Sequence, residues 1–506
     1  MFAKVYSAQT SLLKAHVISI EADISRGLHA FSVVGLPDKA VEESRDRISA
    51  AIKNSGFTSP KSKNQKIVIS LAPAELKKEG SFYDVGMALA YLKSAKEVAF
   101  REEKRLFLGE LSLDGSLRPV RGILPIVTTA KEKGFEEIYV PFGNRKEAAL
   151  VEGIRVYPAH TLREIIEHLS ETEEHTKIKP QPPTRVRKSV EKNAFDLSDI
   201  RGQENAKRGL LIAAAGGHNI VLYGPPGIGK TMLARAFQSI LPPLSFEEAL
   251  ETTSIHSIAG TLSKSFIVHP PFRAPHHTAS YVSVIGGGAV PKPGEATLAH
   301  HGVLFLDEFP EFDRRVIDSL RQPLEDRVVR IARASGRAEF PAHFIFIAAM
   351  NPCPCGNFGS TKECICAPHH RERYQKKISG PIIDRVDMWI EVPHVDISLL
   401  SEKRKGSKTT EDFRKEVLKA RDIQKKRFQG KSVPQNSNMN VRDIDRKALL
   451  EEKAAKTLEI ASKKLDLSPR SYHRTIKLAR TIADLDNKEH VEESHVLEAL
   501  QYRKRT

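Results

Sequence analysis

The sequence predicts an α/β protein of several domains: a parallel sheet carrying a phosphate loop, an α/β or α+β domain before it and a small helical domain after it. Three observations lead there. Apolar strand-like runs at Asn219–Tyr223, Val303–Leu306, His343–Ala349 and Arg385–Val392 are separated by long helical or polar segments, as in a parallel sheet covered on both faces. A glycine-rich run ending in Lys230-Thr231 follows the first of them directly. From about Glu411 the strand-like runs stop and helical patterns follow one another.

Length and charge bound what such a chain can be. At roughly 100–200 residues per domain, 506 residues make two to four domains, each able to bury a core, which excludes a disulfide-stapled miniprotein. A hydrophobic content of 40% and a mean hydropathy of −0.34 exclude an integral membrane protein and a wholly disordered one. The 79 Lys+Arg against 63 Asp+Glu leave a charge of +16, which favours a polyanionic partner, nucleic acid first. Apolar windows such as Val303–Leu306 and Phe344–Met350 fall short of the ~18 residues of a membrane span, so no membrane partner is expected. All four cysteines lie between Cys353 and Cys366, and Met1–Thr10 lack the basic-then-apolar run of a signal peptide; both features predict a cytoplasmic protein.

Residues 1–170 form the first expected domain, where strand-like His16–Ile24, Lys66–Leu71 and Ile138–Val140 alternate with helical patterns at Asp84–Ala95 and Ile126–Lys133. Residues 171–193 are polar and proline-bearing, and read as a linker. The sheet domain occupies 194–395. The helical domain, 396–506, carries patterns at Phe413–Phe428, Asp443–Leu465, Arg470–Leu485 and Val491–Arg503. Within it, Ser401–Gln435 holds twelve Lys+Arg against five Asp+Glu, either a solvated helix face or a nucleic-acid contact.

Gly224-Pro225-Pro226-Gly227-Ile228-Gly229-Lys230-Thr231 matches G-x-x-x-x-G-K-[ST] between a strand and a helix that starts near Met232. Gly227 and Gly229 let backbone N–H groups turn toward phosphates, Lys230 reaches the β/γ-phosphates of ATP, and the Thr231 hydroxyl ligates Mg²⁺. Val303–Leu306 ends in Asp307-Glu308. A strand lying beside the phosphate-loop strand would put Asp307 at its C-terminal edge for the Mg²⁺ shell, with Glu308 pointing to the other side as general base. Phe344–Met350 ends in Asn351, an amide able to hydrogen-bond the γ-phosphate or the lytic water, or else a turn residue before Pro352.

This order of phosphate loop, Asp-Glu strand, Asn-terminated strand, Arg385 and helical domain resembles an AAA+ ATPase. More narrowly the chain resembles the magnesium-chelatase-like ComM/YifB family. The resemblance rests on Pro271-Phe-Arg-Ala-Pro-His-His277, Gly286-Gly-Gly288, Pro293-Gly-Glu295, Leu298–Glu308 and Asn351-Pro-Cys-Pro-Cys-Gly356. It implies an AAA+ phosphate-loop sheet with a helical lid in a homo-hexameric ring that drives branch migration of DNA, single-stranded or branched, during recombination in natural transformation. By the same resemblance Arg385 is an arginine finger acting on the neighbouring subunit's nucleotide, its alternative being a pair with Asp384 or Asp387. Arg470 becomes the lid sensor, with Arg474 four residues on along the same helical face as the other candidate.

Gln322–Phe340 alternates in character around a Ser-Gly turn and predicts a β-hairpin. In related helicases such a hairpin lines the pore, which would aim Arg333 and Arg337 at a phosphate backbone; the alternative is a solvated edge hairpin. Ala274–Gly294, with His276 and His277, would supply a companion loop. Cys353, Cys355, Cys364 and Cys366 form two C-x-C pairs that suit a tetrahedral Zn²⁺, reduced thiols or redox control, with His369 and His370 as substitute ligands.

Lys77–Gly86 and Gly109–Gly122 resemble the proteolytic domain of Lon-type proteases, an S5 domain 2-like α+β fold. Where that family has its nucleophilic serine this chain has Asp84, and where it has its dyad lysine this chain has Leu124, so no acyl-enzyme is expected. The expected role of this domain is DNA binding or ring assembly. Beside a DNA motor stand an ATPase subunit of a magnesium-chelatase-type or protein-remodelling complex and an ATP-dependent protease; the basic charge and the basic hairpin favour DNA.

Overall fold

The computed structural model describes residues 1–170, 177–185, 196–262, 264–288, 291–333, 336–359, 362–394, 408–430 and 435–503. Most of the expected linker lies outside them. The chain divides into two compact units, residues 1–187 with 249–267 and residues 188–248 with 268–506.

In the first unit, β1 (Phe2–Ser11) and β2 (Lys14–Arg26) pair antiparallel from Phe2↔Asp23 to Ser11↔Lys14. With β3 (Ala30–Val34) and β4 (Gln65–Ala72) they make a sheet ordered β1-β2-β4-β3. Ile67, Ile69 and Leu71 alternate inward along β4, the period of a strand with one face on the core. Helix Lys39–Asn54 crosses between the parallel strands β3 and β4, and the Asp38 carboxylate caps it by accepting the Val41 N–H at 2.9 Å. Next along the chain come β5 (Arg105–Phe107), the hairpin of β6 (Glu110–Leu111) with β7 (Leu117–Arg118), β8 (Glu137–Pro141) and β9 (Arg155–Ala159). Strands β5, β8 and β9 form a parallel sheet in that order, in which Phe107, Tyr139 and Tyr157 stack with centroids 4.8 and 5.1 Å apart.

In the second unit, β10 (Ile220–Tyr223), β11 (Phe272–Arg273), β14 (Val303–Leu306), β17 (Ile345–Met350) and β18 (Met388–Glu391) build a parallel sheet ordered β11-β14-β17-β10-β18. Strands β14 and β17 are buried along their whole length, as expected of a sheet covered on both faces. Two small hairpins flank it: β12 (Gly286–Gly287) with β13 (Lys292–Pro293), and β15 (Val328–Arg333) with β16 (Gly336–Pro341).

Three expectations need correction. The Asp307 strand does not lie beside the phosphate-loop strand: β17 stands between them, because both β10 and β14 take their parallel partners from it. Arg385 is not part of a strand; it follows the short helix Gly380–Ile383, and β18 starts at Met388. The pattern Asp443–Leu465 is two helices, Val441–Lys447 and Glu452–Lys464, because Leu449 takes a left-handed φ of 51° and Leu450 bridges Val491 between them.

The C-terminal helices Thr410–Arg427 and Pro469–Leu485 are joined by a buried ion cluster. Asp484 accepts from Arg427 Nη2 at 2.5 Å and Arg480 Nε at 3.1 Å, and the Arg480 Nη atoms donate to the carbonyls of Lys488 and Glu489. Among the described residues no helix is long and apolar enough to cross a membrane.

Candidate nucleotide site

Parallel strands deliver their following loops to one edge of the sheet, and the three loops after β10, β14 and β17 meet there. The first turns at Gly227 and Gly229, with φ of 78° and 90°, and enters helix Lys230–Ile240. Glycine is required where a Cβ at Gly224 would stand 2.2 Å from the Val392 carbonyl oxygen.

Lys230 is buried, and its Nζ donates to Gly224 O at 2.6 Å, Pro225 O at 2.7 Å and Asn351 Oδ1 at 3.0 Å. The loop thus folds its own carbonyls over the ammonium, in the place where phosphate oxygens would compete. Burial pushes the Lys230 ammonium down to about 8, with the Asp307 carboxylate acting against that. Thr231 Oγ1 donates to Asp307 Oδ2 at 2.7 Å. This hydroxyl and carboxylate, hard oxygen donors side by side, fit the Mg²⁺ of a bound nucleotide, which would neutralise phosphate charge there. Glu308 takes a left-handed φ of 50°, its carboxylate is largely exposed, and His277 Nδ1 stands 3.3 Å from its Oε2. The glutamate is therefore held by the loop of the Ala274–Gly294 segment and not aimed at Lys230 or Thr231. That pairing was not legible in the sequence beyond the presence of His276-His277.

Arg385 and Arg470 do not join this cluster. Strand β18 runs parallel to β10 with Ile220 opposite Met388, so Arg385 lies at the edge where β10 begins. That is about 13 Å along the four residues of β10 from the phosphate loop, at ~3.3 Å per residue. There both arginines pair with one carboxylate, Glu325: Arg385 through Nη2, and Arg470 through Nη2 at 2.7 Å. Arg385 also donates to Pro381 O at 2.6 Å. Asp387, a partner expected for Arg385, instead pairs with Arg474 Nε at 3.4 Å, and Arg474 also donates to Val386 O at 3.3 Å. A cleft of about 940 Å³ opens at this edge, lined by Glu325, Arg327, Arg385, Arg470, Arg474 and Lys477. Glu325 gave no signal in the sequence.

Comparison with known proteins adds the lineage. The chain matches the magnesium chelatase subunit ChlI over residues 196–400, subunit ChlI of Mg-chelatase over 20–144, and the ChlI C-terminal region over 407–503. It is 41% identical to competence protein ComM of Haemophilus influenzae over 99% of this chain and 97% of that one. It is 40% identical to YifB of Escherichia coli, an uncharacterized protein, over 97% and 95%. The chain belongs to the ComM/YifB family. Its AAA+ membership implies ATP hydrolysis with ATP and Mg²⁺.

This ComM/YifB-like chain is also 31% identical to Lon protease 2 of Bacillus subtilis over 143 residues, 26% of each chain. At the Lon-type positions Asp84 is fully buried and accepts from Ser44 Oγ at 2.5 Å, Arg47 Nε at 3.0 Å and the Leu111 N–H at 3.1 Å. Burial pushes its carboxyl up against those partners. Leu124 is buried too, and its N–H donates to Glu147 Oε1 at 3.1 Å. The carboxylate is occupied in joining a helix to β6, and a leucine supplies no amine to activate a nucleophile.

The hairpin β15–β16 pairs from Val328↔Pro341 to Arg333↔Gly336, with Val329, Ile331 and Phe340 buried and Arg330 bridging Asp326 and Glu339 at 2.8 and 2.9 Å. Arg333 ends one strand and Arg337 lies second in the other, and residues 334–335 between them, where the Ser-Gly turn is expected, lie outside the described residues. The sulfurs of Cys353, Cys355, Cys364 and Cys366 come together within 4.8 Å of one another. His369 and His370, the substitute ligands, lie in the first turn of helix Pro368–Gln375, their rings tilted at 59° with centroids 4.1 Å apart.

Proposed function

We propose that this chain is an ATP-driven DNA motor of the helicase or branch-migration type, working as a homo-hexameric ring on single-stranded or branched DNA in recombination, as in natural transformation. One observation carries the reading. The groups that would hold Mg·ATP sit at one edge of the sheet, and the two cations that would complete catalysis sit at the opposite edge, out of reach of their own nucleotide. A ring satisfies both edges at once, since each chain then lends its arginines to the next site.

In this reading Lys230 binds the β/γ-phosphates, Asp307 and Thr231 hold Mg²⁺, Asn351 orients the γ-phosphate or the water, and Glu308 takes the proton of the attacking water once His277 releases it. Arg385 is the finger acting in trans. Arg470 shares its edge and its carboxylate, whereas Arg474 is tied to Asp387 and Val386, so Arg470 takes the sensor role. Residues 1–170 assemble the ring or bind DNA, 194–395 form the motor, 396–506 the lid, and Arg333 with Arg337 contact phosphates. The charge of +16 and the competence protein among the relatives support DNA as substrate. The test is displacement of a labelled strand from a three-strand junction. Release that requires ATP is expected, and an active ATPase that never releases the strand would overturn the motor.

A further inference from the structure

The cysteines stand apart from the nucleotide chemistry, yet they are arranged as a site. Cys353 and Cys355 follow β17 directly, and Cys364 and Cys366 return to meet them. The Cys353 sulfur lies 3.3 Å from that of Cys355 and 3.7 Å from that of Cys364, with 3.6 Å between Cys355 and Cys364. A disulfide requires ~2.05 Å, so these are separate thiols. Zinc–sulfur bonds of ~2.3 Å place four thiolates on a tetrahedron with edges of about 3.8 Å, close to the spacing seen here.

The Phe358 N–H donates to Cys353 Sγ at 3.4 Å. The tight C-x-C arm is turned by Gly356, whose N–H donates to Cys353 O at 3.0 Å and whose φ is 81°. No side chain could stand there: a Cβ on Gly356 would lie 2.6 Å from Pro226 Cδ. The cysteine loop therefore rests its bare backbone on the third residue of the phosphate loop.

We propose that Cys353, Cys355, Cys364 and Cys366 bind one structural Zn²⁺, and that the closed knot braces the phosphate loop through the contact of Gly356 with Pro226. The metal joins two arms of a strandless segment into one rigid body, and the first arm then fixes where Pro226 can go. The brace, unlike the metal, rests on the phosphate-loop reading.

Metal content of the purified full chain is measured by inductively coupled plasma mass spectrometry, and nucleotide affinity by titration with a fluorescent ADP in excess Mg²⁺ and without DNA. The wild type is expected to carry one zinc per chain, and Cys364→Ser almost none. Gly356→Ala is expected to keep its zinc and to bind nucleotide about tenfold more weakly, as a small displacement of a binding group does. If Cys364→Ser fails to fold, release of zinc from the wild type by a mercurial, followed with a colorimetric chelator, replaces it. A folded wild type free of zinc, or one holding iron or an internal disulfide instead, overturns the metal. Zinc present with unchanged nucleotide affinity in Gly356→Ala overturns the brace. Lys230→Ala serves as the control: wild-type nucleotide affinity there would indict the phosphate-loop reading and not the knot.

Discussion

At the C-terminal edge of the five-stranded sheet the cation and the hydroxyl meet acceptors from the loops around them, whereas at the N-terminal edge two arginines share the single carboxylate of Glu325. The first edge is close to a finished binding site: an ammonium amid three oxygens, a hydroxyl against a carboxylate, and glycines where backbone must approach a ligand. The second is crowded with cations and short of anions. Burial lowers Lys477 and Arg474 there against Asp387, which raises both; Arg474 and Arg327 lower Lys477 further, and Arg470 and Arg385 lower Arg474 further. The cleft there sets Arg327, Arg385, Arg470, Arg474 and Lys477 against Glu325 and Asp387, an excess of positive charge that suits an anion from outside the chain. Under the proposed function the difference separates what one chain would do alone, bind, from what it would do only in a ring, turn over.

The contrast between the edges is sharpest at Lys230. Lys230→Ala is expected to abolish nucleotide binding, whereas Glu308→Gln is expected to keep binding and lose turnover, since in the proposed mechanism one residue holds phosphate and the other prepares water. Fluorescent-nucleotide titration with phosphate release measures both. A Glu308→Gln chain hydrolysing at the parental rate would remove Glu308 from the general-base role and leave its contact with His277 without a catalytic meaning.

The opposite edge is tested by sharing. Arg385→Ala chains and Lys230→Ala chains, each inactive alone, retain the half that the other lacks, so mixed rings should recover part of the ATPase. Mixed rings that assemble and recover nothing would place Arg385 in the service of its own subunit, against the separation of the two edges.

How much of this contrast was legible beforehand follows from what each edge is made of. The phosphate loop is local: one strand, eight residues and one helix carry it, and their spacing has a physical reason visible in the sequence. Patterns such as the strand at Lys66–Leu71 and the helix at Phe413–Phe428 were legible for the same cause. The strand order was not, because nothing in Val303–Leu306 says that Ile345–Met350 will insert between it and Ile220–Tyr223. Glu325 sits 60 residues before Arg385 and 145 before Arg470, so its part in the far edge exists only in the folded chain. Arg470 and Arg474 share a helical face and could not be told apart by period; packing against Asp387 separates them. The break at Leu449 turns on a backbone conformation that leucine rarely adopts, which composition does not announce.

A smaller effect follows from the buried ammonium. With its folded value lowered from 10.5 to about 8, Lys230 loses its proton in the empty site as pH rises through 8, and phosphate then has no cation to meet. Nucleotide affinity should weaken from pH 7.5 to 9. Stability should move the other way: between about 8 and 10.5 the unfolded chain holds the proton that the folded one has lost, so this group's destabilising contribution shrinks as pH rises. Isothermal titration of the wild type across this range checks the first, and thermal melts of wild type and Lys230→Met check the second; melting temperatures with the same pH dependence in both proteins would remove Lys230 as the source of the stability change.

The smallest change concerns the hairpin. Arg333 and Arg337 lie near the connected ends of β15 and β16, whose inner face is held by Val329, Ile331 and Phe340. Replacing both with alanine should therefore leave the fold and the basal ATPase intact, since no phosphate-loop group touches the hairpin's pairing. If the two side chains meet DNA phosphates, the slope of log affinity against log salt should become shallower by about 0.7–0.9 for each phosphate left unneutralised, with little dependence on base sequence. DNA-stimulated ATPase and strand release should fall together, because both need the strand held where the ring moves. An edge hairpin that merely shields its strands predicts coincident salt slopes and unchanged strand release, and that result would take DNA away from these two residues while leaving both edges of the sheet as they are.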